Sequence, residues 1–367
     1  MRRTLIAAVG LSCALLAACS SSSTSSDSSP SSSAAEVVQV GGSVVSTAGS
    51  SNEMNIVLPA PITAELTALS GGGSGVEWVA VAGDGTTSIE PAGLSGDGIA
   101  GLTDKMNADQ AAAPGRTALA GLEAISSPAG SPVWVFSPML DTMGALDFNQ
   151  LAFDESPPVA VQAVTDAGKL PDLEGREVTF VVSPVAGQQK KLSDLQVGYQ
   201  HAIWEGVATA AGASKVTFFD GTGSTPGTGT IPAVPVPDPN DKIASEAQGA
   251  TRTCTLPAPA LFIPDTPNLI DKAATLTALD DCLGTLDATT KITVEGHTAA
   301  VAGGGDEQVA TDLSTQRATE VAALLRELGV PAENVTSVVG FGASKPLVEP
   351  ASDPANRAVV VTFTSAG

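Results

Sequence analysis

The chain has 367 residues, 43% of them hydrophobic, with 39 acidic against 17 basic side chains and a formal net charge of −22. That length and apolar content suffice for two domains with real cores. The acidity argues against nucleic acid and against electrostatic docking on anionic lipid, and it says little about any specific ligand.

In chain order, Met1-Arg2-Arg3 precede an uncharged apolar run from Leu5 to Ala18. The run is too short to span a bilayer comfortably and has the pattern of a signal-peptide core. It ends Leu-Leu-Ala-Ala-Cys-Ser, with small residues directly before Cys19. This resembles the bacterial lipobox; the alternative is an ordinary secretory signal with a chance cysteine. The resemblance implies removal of residues 1–18, lipid (palmitate among the acyl chains) on Cys19, and stable membrane attachment. Residues 19–35 are serine-rich, with no apolar surface to bury, and are expected to form a disordered tether. Low lysine with high alanine and glycine points to the outer face of a cytoplasmic membrane. Ser20 would not block sorting to the periplasmic side of an outer membrane.

Residues 36–220 alternate strand-like and helix-like runs. Val76–Gly83, Ser131–Leu140, Arg176–Val185 and Ser214–Gly221 are continuous apolar strand candidates. A long Ala/Gly-rich segment of helical character lies between the first two. Between the last two, Leu195, Tyr199, Ala202, Ile203, Val207 and Ala210 recur at helical spacing, with Gly212 as a stop. Continuous strands separated by helices predict a doubly wound α/β domain with a mostly parallel sheet. Its strand–helix order is similar to that of a von Willebrand factor A domain. That family's Asp-x-Ser-x-Ser metal loop is missing, and Asp84 in "AGDGTTS" is read as part of a turn, so no magnesium is expected. No Gly-x-Gly-x-x-Gly follows a strand, and no cofactor is expected. Residues 221–245, rich in Gly and Thr and then in Pro, read as a linker.

Residues 246–367 form the last region. Pro259–Asp265 is read as a strand, then a helix from Pro267 with Leu269, Ala273, Leu276 and Leu283 on one face. Lys291–His297 alternates as a strand. A second helix is expected from about Asp312 to Leu328 with Asp312 as N-cap, followed by two strands in "NVTSVVGFG" and "NRAVVVTF". Arg317 falls inside that helix's apolar stripe with Leu313, Val321, Leu324 and Leu328. A guanidinium there needs an anionic or carbonyl partner, or must snorkel to water. Cys254 and Cys282 are the two thiols left after export and are expected to pair, the alternative being two buried thiols. No close Cys/His set suggests zinc.

"ITVEGHTA", "LSTQRATEVAALLRELGVPAENVTSVVGFGASKPL" and "NRAVVV" closely resemble the OmpA-like C-terminal domain across about 246–367. The resemblance implies a βαβαββ α+β fold that binds peptidoglycan noncovalently through the diaminopimelate of its stem peptide. Carried over residue by residue, the ligand site would use Gly296, His297, Thr298, Arg317, Asn356 and Arg357. Arg317 would pair with a ligand carboxylate. Three departures stand out: the family's acid after Gly-His-Thr, which receives the ligand ammonium, is Ala299; the asparagine often found three residues before Leu-Ser is Ala310; and the second arginine of the last motif is Ala358. Asp306 or Asp312 is the candidate substitute acid. His297 has a second reading, as a residue that only orients its turn. No catalytic residue is indicated: serines lack a histidine at motif spacing, and His201 sits on a packed helix. The expectation is therefore a lipid-anchored, non-enzymatic protein that links membrane to wall, with a possible protein partner on the α/β domain. The alternatives are a wall-modifying enzyme targeted by its last domain, and an envelope scaffold that binds protein partners.

Overall fold

In the computed structural model the described residues are 38–223, 225–236, 243–284, 289–301 and 306–365. The expected signal segment, Cys19 and the expected tether lie outside them. Residues 38–367 form one compact unit, within which two sheets organise two lobes.

The first lobe runs β1 (Gln39–Thr47), α1 (Ala60–Gly71), β2 (Ser74–Val81), β3 (Thr87–Ala92), α2 (Gly98–Ala108), α3 (Ala118–Ala124), β4 (Val133–Ser137), α4 (Phe148–Leu151), α5 (Pro157–Asp166), β5 (Glu177–Val182), α6 (Asp194–Ala210) and β6 (Lys215–Asp220). The sheet order is β3-β2-β1-β4-β5-β6, with β3 antiparallel to β2 and every other pairing parallel. Strand alternation divides the core. Val44 joins Ile62, Leu66, Leu102 and Met106 under α1 and α2. Its neighbour Val45 faces the other way, among Leu119, Leu122, Ile203 and Trp204 of α3 and α6.

The central strand β1 was not among the sequence candidates. Gly41-Gly42 and two serines interrupt its apolar run, yet each is required. A Cβ at Gly42 would meet the Trp134 ring at 2.8 Å. Ser43 Oγ donates to Glu77 Oε1 at 2.6 Å, and Ser46 Oγ accepts from Trp78 Nε1 at 2.8 Å. Polar groups in a buried strand are tolerated when each has such a partner.

Residues expected to form the first half of a linker are docked on this lobe. Asn55 N donates to Thr225 O at 2.9 Å, Ser51 N to Ile231 O at 3.1 Å and Val234 N to Pro114 O at 2.8 Å. Asn52 clasps Ala233, donating to its carbonyl and accepting from its amide, both at 3.0 Å. Residues 237–242 lie outside the described residues.

The second lobe runs β7 (Ala244–Gln248), β8 (Thr251–Pro257), α7 (Ala258–Leu261), α8 (Lys272–Leu283), β9 (Lys291–Gly296), α9 (Glu307–Glu327), β10 (Val335–Gly340) and β11 (Ala358–Thr364). The sheet order is β10-β9-β11-β8-β7. Three expectations are corrected here. The strand placed at Pro259–Asp265 lies upstream as β8, where Thr251–Pro257 pairs antiparallel with β11. Pro259 itself sits in the first turn of α7. α9 starts five residues before Asp312, because Asp306 Oδ1 accepts from Gln308 N at 2.9 Å and caps the helix. The helix expected from Pro267, α8, starts instead at Lys272 with Asp271 as its cap. Cys254 of β8 and Cys282 of α8 form a disulfide inside the lobe's core, beside Leu256, Leu279 and Val361.

Candidate ligand-binding site

Arg317 is 1% exposed on the inner face of α9. Its Nε–H donates to Thr266 O at 2.9 Å, and the guanidinium carbon lies 5.2 Å from the Phe262 ring centroid. The two terminal nitrogens donate to the carboxylate of Asp154, NH1 to Oδ2 at 3.0 Å and NH2 to Oδ1 at 2.7 Å. This is a bidentate, charge-assisted pair. Asp154 belongs to the first lobe, 163 residues away in sequence. The buried guanidinium thus receives the anion its position demands, from its own chain.

The turn that delivers Asp154 is conformationally costly. Asp147 caps the short α4, and Ala152 and Phe153 then take left-handed backbone, φ 48° and 58°. Each costs a non-glycine residue about 1–2 kcal/mol. The Phe153 ring is held 5.9 Å from that of Phe148 and 5.5 Å from that of Tyr199. With the ring anchored in its own lobe, the next residue projects outwards. Arg357, at the start of β11, grips the same turn. Its NH1 donates to Gln150 O at 2.7 Å and Leu151 O at 3.0 Å, carbonyls at the end of α4. Its NH2 lies 3.3 Å from Glu155 Oε2.

Beside this contact is a cavity of about 450 Å³, lined by both lobes. Arg317, Arg357, Thr298 and Ala299 form part of its wall. The Thr298 hydroxyl is buried and, among the described residues, has no hydrogen-bond partner. Glu155, Asp265, Asp306 and Glu307 add carboxylates. Burial pushes the Glu155 carboxyl up; Arg357 pulls it partly back, and Asp265 and Asp154 push it up again. Burial also raises Asp265, opposed by Arg317 and reinforced by Asp154.

The six residues carried over from the family pattern divide between wall and frame. Thr298, Arg317 and Arg357 line the cavity. Gly296 lets β9 pass α9, since a Cβ there would overlap the Ser314 carbonyl. His297 is 1% exposed, with Nδ1 2.9 Å from Lys345 O and its ring stacked on Phe341. Burial pushes its pKa down. Asn356, fully buried, accepts from Leu347 N and Val348 N at 2.6 and 2.9 Å. It donates to the carbonyls of Val348, Pro350 and Ala351. These three residues fix the loops around the cavity.

Of the two candidate substitutes for the missing acid, Asp306 reaches the cavity wall, although its Oδ1 is engaged in capping α9. Asp312 instead accepts from Gln308 Nε2 at 2.8 Å. Asp154, Glu155 and Asp265 escaped sequence reasoning. The signal for Asp154 was its place between a short helix and the Pro157-Pro158 helix start, which does not specify a partner. Elsewhere, Asp84 makes the expected turn, accepting from Thr86 N and Oγ1 at 3.0 and 2.7 Å. His201 stacks on Phe218 at 4.0 Å. Among the described residues, no group of three or more His, Cys, Asp or Glu is placed to hold a metal. Also among them, no helix is long and apolar enough to cross a membrane.

Residues 261–359 match the OmpA family. The outer-membrane lipoprotein YfiB of Pseudomonas aeruginosa is 42% identical over 79 residues, which cover 22% of this chain and 44% of that protein. The chain therefore spans less than half the length of that curated relative. Similar solved structures include the cell wall anchor of the T6SS from Pseudomonas aeruginosa, 22% identical, covering 34% of this chain and 89% of that one at a TM-score of 0.29. The periplasmic domain of Helicobacter pylori MotB is 17% identical, covering 34% and 82% at 0.28. At those TM-scores the two structural likenesses carry no weight. The family match and the identity to YfiB make the C-terminal lobe OmpA-like.

Proposed function

We propose that this chain is a lipid-anchored cell-envelope protein that holds peptidoglycan noncovalently in the cavity beside Arg317, linking membrane to wall without chemistry. Lipid on Cys19 would supply the anchor, and the doubly wound first lobe would act as a spacer or a protein-binding module. One observation carries the reading. Arg317 presents both ends of its fork to a carboxylate, next to a cavity large enough for a stem peptide's terminal group. In this reading a diaminopimelate carboxylate takes the place that Asp154 holds, Arg357 and Thr298 meet the rest of the ligand, and Gly296, His297 and Asn356 hold the frame. The OmpA-like sequence of residues 261–359 supports this assignment.

A second reading, an envelope scaffold whose wall site has become an interlobe clamp, is favoured by Ala299 and by the pairing of Arg317 within the chain. Co-sedimentation with purified sacculi separates the two. The mature wild-type chain is expected to pellet saturably, with Arg317→Ala weakening binding by tenfold or more. Equal pelleting of both chains removes Arg317 from the site, and no pelleting of the wild type leaves the scaffold.

A further inference from the structure

We infer that the first lobe masks the wall-binding site of the second, with Asp154 as an internal stand-in for the ligand carboxylate, so that binding requires the 150–155 turn to be expelled. This rests on the wall-binding reading above and concerns how that site is regulated.

Three N–H groups of the Arg317 guanidinium are engaged: Nε by Thr266 O, and one each on NH1 and NH2 by Asp154. A carboxylate from outside cannot pair bidentately with NH1 and NH2 on the edge that Asp154 occupies while Asp154 is seated. The exchange is charge-neutral, one carboxylate for another on the same fork. Its balance is therefore set by how well the turn fits and by what the incoming molecule gains elsewhere. The turn is held at a second point by Arg357, through Gln150 O, Leu151 O and Glu155. Both arginines of the carried-over pattern thus serve the same segment of the first lobe. Three features lower the cost of release. Ala152 and Phe153 are strained at φ 48° and 58°. Burial of Glu155, reinforced by nearby Asp265 and Asp154, disfavours its charged form against the pull of Arg357. The cavity beside the contact already gives a ligand space against Arg317 and Arg357.

The ligand's apparent affinity is then reduced by the fraction of chains in which the turn is out. A closed form favoured tenfold costs tenfold in affinity, and removing the latch returns it. The full mature chain is tested with purified sacculi as wild type, Asp154→Asn and Arg317→Ala. In parallel, hydrogen exchange of the wild-type amides at 152–156 is followed on adding a disaccharide tripeptide that ends in diaminopimelate.

The expected result is binding at least tenfold tighter for Asp154→Asn, with faster exchange at 152–156 once the tripeptide is bound. Binding by Asp154→Asn no tighter than wild type, with 152–156 still protected in the complex, overturns the mask while leaving the wall-binding reading intact. Equal binding by Arg317→Ala and wild type overturns that reading and the mask with it. Should Asp154→Asn fail to fold, the wild-type exchange experiment decides alone.

Discussion

Gly296 and Arg317 sit on facing elements and show how one residue each can serve frame and function. Gly296 ends β9 where the strand passes closest to α9, and any Cβ would overlap the main chain of Ser314. Backbone cannot swing aside as a side chain can. Gly296→Ala is therefore expected to cost about 1–3 kcal/mol or more of stability, read as a lower urea midpoint at unchanged slope. Arg317 was legible in the sequence as a cation inside an apolar stripe, because helical periodicity fixes which face a residue occupies. Its partner was not legible. Asp154 reaches it through two left-handed residues, neither of them a glycine that would mark the bend, and across 163 positions of sequence.

At the scale of elements, β2, β4 and β5 could be read because each is a short apolar run that a covered sheet buries on both faces, and β6 because its apolar run persists although it lies half-buried at the sheet edge. β1 escaped because its glycines and serines serve contacts with Trp134, Trp78 and Glu77 that only the assembled sheet reveals. β8 escaped for a related reason: its threonines pair along β11, and its polar pattern resembles a loop. The start of α9 was displaced because two aspartates compete as caps and only Asp306 makes the bond.

Helix α3 carries a pH-sensitive cap of its own. Asp141, fully buried, accepts from Ala118 N at 2.8 Å and Leu119 N at 3.1 Å. Burial pushes its carboxyl up to about 7, against the pull of those two amides and of Arg116. The folded chain thus keeps a proton that the unfolded chain releases near pH 4. Between these values the folded state binds more protons, and stability falls as pH rises. Urea unfolding of wild type and Asp141→Asn at about pH 4.5 and about pH 8 should show it. The wild type should lose stability relative to the variant on going to the higher pH, by an amount on the order of a few kcal/mol. A constant difference between the two would mean that Asp141 does not titrate with folding.

On the scale of the whole molecule, the net charge of −22 makes the arginine pair an exception in its own surroundings. A strongly acidic protein has no general attraction for an acidic polymer, so recognition of a carboxylate must be local and geometric. Arg317 and Arg357 supply that locality, and both are spent on the 150–155 turn of the first lobe. The two lobes are therefore coupled through the site itself: what the wall polymer would bind is what holds them together here. Residues 225–236, docked along the first lobe, leave the connection between the lobes to a short stretch of chain.

The most direct measurement is competition. Sacculi and the mature wild-type chain are mixed with either of two stem tripeptides, one ending in diaminopimelate and one ending in lysine, which lacks the side-chain carboxylate. The diaminopimelate peptide should release the chain at concentrations at least tenfold below the lysine peptide, because only it offers Arg317 an acid on that side chain. Equal potency, or release by neither, would contradict the claim that this guanidinium reads the wall.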